Sequence, residues 1–120
     1  MNVDKVVYKV VSVFGDERFS VLADSRQYCR EQQLKEGSII RYPLYTSIYV
    51  EKMLFVFDTL EHAEAFFDYT HNGRLAPGYE VWKCTVPNWG AIFYLDLDHQ
   101  FAMPKGTLLV DVLTLDEKIL

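Results

Sequence analysis

The chain has 120 residues, half of them hydrophobic and 24% charged, with 17 acids against 12 bases for a net charge of −5. That length suits one domain over 1–120, and the balance excludes a chain too polar to bury a core. Its apolar runs fall well short of the roughly 18 residues that a membrane-spanning helix needs, so none is expected.

The charge is unevenly divided. Residues 1–57 hold 8 bases and 7 acids, and residues 58–120 hold 4 bases and 10 acids, so the halves carry +1 and −6 and sum to −5. A protein that grips a phosphate backbone needs clustered bases to release counterions. The second half has none, so nucleic acid is not the expected partner. Met1–Lys5 lacks the basic and apolar stretches of a secretory leader. With only Cys29 and Cys84, and no C-x-x-C, reduced thiols in a cytoplasm (the host's, if the protein is viral) are the expectation.

In chain order, Val6–Phe14 is β-branched and aromatic, Gly15-Asp16-Glu17 signals a turn, and Arg18–Ala23 continues extended, which together read as a hairpin. Asp24 or Ser25 can cap a helix over about 25–36 with Gly37 as its stop, although only Tyr28, Cys29 and Leu34 are apolar there. Ser38–Tyr42 predicts a short strand cut by Pro43, which favours an edge. Lys52–Phe57 is a run suited to a strand buried on both faces, with Phe55, Phe57, Phe66 and Phe67 all expected in the core. Asp58 with Glu61 resembles a capping box, and Leu60, Ala63, Phe66 and Phe67 fall on one face, so 59–70 predicts an amphipathic helix ending near His71-Asn72-Gly73. Tyr79–Val86, Ala91–Asp98 and Thr107–Leu115 predict strands, the last apolar enough to be central. A single strong helix among strands gives α+β: a mostly antiparallel sheet with the helix on one face.

Signatures of chemistry are missing. There is no G-x-S-x-G, no phosphate-cradling glycine loop and no H-E-x-x-H. Asp96-x-Asp98-His99 is the most metal-like cluster, because alternate strand residues share a face. It lacks an evident further ligand, Asp111 being a guess at one, so neither a metal nor a cofactor is expected. His62 reads as an exposed helix residue, and Cys84 as a small core residue. The aromatics are more informative. Tyr42, Tyr45 and Tyr49 punctuate Arg41–Tyr49, and Trp89 sits in a Pro-Asn-Trp-Gly turn. Such rings combine large contact area with a polar handle and are enriched at interface hot spots.

Leu54–Phe66, a strand leading through a cap into an aromatic helix face, is similar to small uncharacterised proteins of bacteriophage and prokaryotic genomes. The similarity extends to Tyr79–Cys84 and Pro104–Thr107, about half of the chain. It implies a viral or accessory role and carries over no catalytic residue.

The expectation is a non-enzymatic module that binds a protein or its own copy, with Tyr42, Tyr45, Tyr49 and Trp89 as contact residues and no membrane partner. One alternative is a small enzyme or a nucleotide- or ADP-ribose-type binding domain using Arg41, Tyr42, Ser47 and Glu80. Another is acidic mimicry of nucleic acid by the helix bearing Asp58, Glu61, Glu64 and Asp68.

Overall fold

The computed structural model describes residues 3–21, 23–71, 78–94 and 106–120; side chains at 51–53, 67–71 and 94 lie outside that description. The elements are β1 (Lys5–Phe14), β2 (Glu17–Phe19), α1 (Gln27–Glu36), β3 (Arg41–Tyr42), β4 (Ile48–Phe57), α2 (Leu60–His71), β5 (Tyr79–Val86), β6 (Ile92–Tyr94) and β7 (Thr107–Lys118). Every pairing between these strands is antiparallel, which makes the fold α+β as expected.

The sheet closes on itself. β5 lies along β1 from Lys5↔Val86 to Ser12↔Tyr79. β7 takes the other edge of β5, from Trp82↔Lys118 to Thr85↔Thr114. β4 takes the far edge of β7, with a register shift between Tyr49 and Leu54. β4 then returns to β1 through the pair Tyr8↔Phe57. The ring is β1–β5–β7–β4, and its seam is the junction of β1 and β4. Beyond the seam, β2 covers the same edge of β1 at Ser12–Phe14, and β3 adds to β2. β6 continues past β5 along β7, pairing Ile92↔Val110, Phe93↔Leu109 and Tyr94↔Leu108.

Strand alternation sorts side chains to the two sides of this ring. Val7, Val11, Leu54, Val56, Trp82, Cys84, Val86, Leu108, Val110, Leu113 and Leu115 form the inner core, with Tyr42 among them. Removing each large side chain from water contributes about 1.5–3 kcal/mol. On the outside, Val10, Phe57 and Val81 meet Ala63, Leu60 and Phe66 of α2. The Phe57 and Phe66 rings lie 5.2 Å apart. α2 is thus the helix on one face that its periodicity predicts, and β7 is central, between β4 and the β5/β6 edge.

Three local expectations fail for identifiable reasons. Asp58 does not cap α2: Thr59 Oγ1 accepts from the His62 amide at 3.2 Å, while the Asp58 carboxylate instead meets His62 Nδ1 at 2.5 Å. His62 is therefore half-buried and engaged. Neither Asp24 nor Ser25 is the cap of α1; Arg26 occupies that position without a side-chain cap bond, and Asp24 forms an ion pair with Arg26 at 2.9 Å. The guanidinium lowers the Asp24 carboxyl to about 2. α1 buries no residue and ends at Gly37 in the left-handed region, as its sequence indicates. Finally, β4 is not buried on both faces, because Phe55 stands on the outside of the ring and is 48% exposed.

Candidate interaction surface

α2 covers only part of the outer face. Among the described side chains, it packs on Val10, Phe57 and Val81, with Tyr8, Val21 and Tyr79 around them. Next to that patch the registers Phe55↔Leu109 and Phe93↔Leu109 set three side chains abreast on β4, β7 and β6. Neighbouring strands lie about 4.8 Å apart, so Phe55, Leu109 and Phe93 form one lateral row. Phe55 and Phe93 are 48% and 54% exposed, and Leu109 is half-buried between them.

Farther along β7, Tyr49 of β4 pairs with Val112. Across β7, Gly90 approaches Val112 so closely that an added Cβ would meet Val112 Cγ1 at 2.6 Å. The Pro87–Gly90 turn, closed by the Gly90 amide to the Pro87 carbonyl at 2.9 Å, holds the exposed Trp89 there. Tyr49 therefore pairs with β7 three residues beyond Leu109, and the turn that carries Trp89 reaches the same residue, Val112, through Gly90. Between Leu109 and Val112, Asp111 accepts a hydrogen bond from the Ala91 amide at 2.9 Å and pins the start of β6.

Tyr45 lies at another place. Its backbone is left-handed, with φ 59°, its amide donates to the Leu115 carbonyl at 3.0 Å, and its exposed ring meets Trp82 edge-on at 6.1 Å. Tyr42 does not reach the surface. It is 3% exposed in the inner core, and burial pushes its hydroxyl above the usual range. Tyr42 cannot present a ring to a partner in this fold.

The residues of the ligand-binding alternative are not brought to a shared partner. Arg41 pairs with Glu17 at 3.5 Å and lies over Phe19. Ser47 Oγ shares a hydrogen bond with Thr114 Oγ1 at 2.9 Å. Glu80 receives Arg18 Nε at 3.1 Å, Trp82 Nε1 at 2.9 Å and Lys118 Nζ at 3.3 Å. Burial alone would raise the Glu80 carboxyl, but these donors outweigh it and hold it below its usual value. Each group is spent on the fold itself. Asp96, Asp98 and His99 lie outside the described residues.

One inward residue has the opposite character. Lys9 shares the parity of Val7 and Val11 and is 6% exposed. Its ammonium donates to the Phe55 carbonyl at 2.6 Å and lies 5.5 Å from the Tyr42 ring centre. Burial pulls its pKa down to about 8, and burial pushes the nearby Cys84 thiol up to about 12. Lys9 thus bonds across the seam, at a carbonyl just beyond the Tyr8↔Phe57 pair that joins β1 to β4.

The sequence picked out Tyr45, Tyr49 and Trp89 from their polar surroundings but missed Phe55 and Phe93. The available signal was parity: Leu54 and Val56 as inward residues make Phe55 outward. Nothing polar in the run marked which parity faced water. No family model, curated protein or solved structure matches the chain.

Proposed function

We propose that the chain is a non-enzymatic protein-binding or self-associating module, and that its contact surface is the outer face of β4, β7 and β6. The observation that carries this reading is the Phe55–Leu109–Phe93 row left bare beside α2. Three apolar side chains abreast on a rigid sheet give a pre-organised anchor, and contiguous exposed apolar surface marks contact sites. Tyr49 and the turn carrying Trp89, both meeting β7 at Val112, supply exposed amphipathic rings of the kind that interface centres favour. The module fits the accessory role, viral or prokaryotic, that the sequence resemblance implies. Support also comes from the polar groups of the ligand-binding alternative, which are engaged with their own neighbours.

The test compares the wild type with Phe55→Ser/Phe93→Ser and with Trp89→Ala, by sedimentation at rising concentration and by titration of any protein co-purified with the wild type. Circular dichroism reports the fold. Association that weakens in these variants while the fold persists supports the module. Assembly and partner binding identical to the wild type in all of them would refute it.

A further inference from the structure

We draw no further inference here: the strongest candidate, the charged side-chain cluster at one end of the ring where Arg18, Glu80 and Lys118 meet the Trp82 indole beside the left-handed Tyr45, has its carboxylate taken up by the indole and both bases, and nothing in the structure shows a ligand that would displace them.

Discussion

Lys9→Met isolates the least expected feature of the interior. Its ordinary pKa of 10.5 falls to about 8 in the fold, chiefly through burial. At about 1.4 kcal/mol per unit, holding the charge inside at neutral pH costs about 3 kcal/mol. The unfolded chain keeps that proton up to about its ordinary value, and the folded chain releases it near 8. Between those values the unfolded state binds more protons, so stability climbs with pH; below 8 both states are protonated and the contribution is flat. From pH 7 to pH 9 the wild type should gain about 1 kcal/mol from this group. The comparison stops there because Cys84 and Tyr42, both raised by burial, act in the opposite direction at higher pH. Methionine fills a similar volume and removes the charge, but it leaves the Phe55 carbonyl without its donor, a loss of about 2 kcal/mol. The net expectation at pH 7 is a variant about 1 kcal/mol more stable than the wild type. Urea unfolding at both pH values reads the two quantities. A variant destabilised by several kcal/mol, or one that keeps the wild-type rise between pH 7 and 9, would show that Lys9 is not the desolvated charge described above.

Gly106→Ala should be costly, because φ is +82° and a Cβ would collide with His62 Nδ1 and Asp58 Oδ1; thermal unfolding should show a loss of about 2–3 kcal/mol, against about 1 for Gly15→Ala in open space at φ +63°. Thr59→Ala removes the bond to the His62 amide and should lower stability by about 1 kcal/mol in the same assay. Glu80→Ala leaves Arg18, Trp82 and Lys118 without their shared acceptor, and a loss of about 3 kcal/mol is expected in urea unfolding. Because the folded Glu80 carboxyl is held below its ordinary 4.5, its stabilisation is present above that pH and disappears as pH falls through the lower folded value. The acid limb of the wild-type unfolding profile should therefore flatten in Glu80→Gln.

Much of the architecture was legible because periodicity is a local property. Ala63, Phe66 and Leu60 recur at helical spacing, and α2 forms over that stretch. Val7 and Val11 recur at strand spacing, and both turn inward. Closure was not legible. Whether β4 returns to β1 depends on Tyr8 meeting Phe57, residues 49 apart in sequence, and no local pattern encodes that meeting. Lys9 shows the consequence: it is a charged residue in the first strand, yet its parity with Val7 and Val11 carries it inside once the ring closes. Capping was read one residue early, since Asp58 and Thr59 are both good caps, and only the tertiary contact with Gly106 and His62 diverts Asp58 to another use.

The seam ties these points to the surface. β1 and β4 meet at one ladder pair and then part, with β2 taking over the edge of β1. The Phe55 carbonyl next to that parting is partly buried and needs a partner where water is scarce, and the Lys9 ammonium bonds to it across the gap. The same residue, through its side chain, stands outside in the bare row. Phe55 is thus held from within at its carbonyl and laterally by its pairing with Leu109, so its outward ring is mounted on a backbone fixed on two sides. A partner binding this row loses little entropy in ordering it, because the ordering is done by folding. Pre-organisation of this kind separates a docking row from an accidental apolar spot: loosening the seam with Lys9→Ala, which shortens the donor without adding bulk, should weaken the association carried by Phe55 and Phe93, read by sedimentation, even though Lys9 itself is buried. Association equal to that of the wild type in a folded Lys9→Ala variant would mean that the row owes its rigidity to the β4–β7–β6 ladder alone.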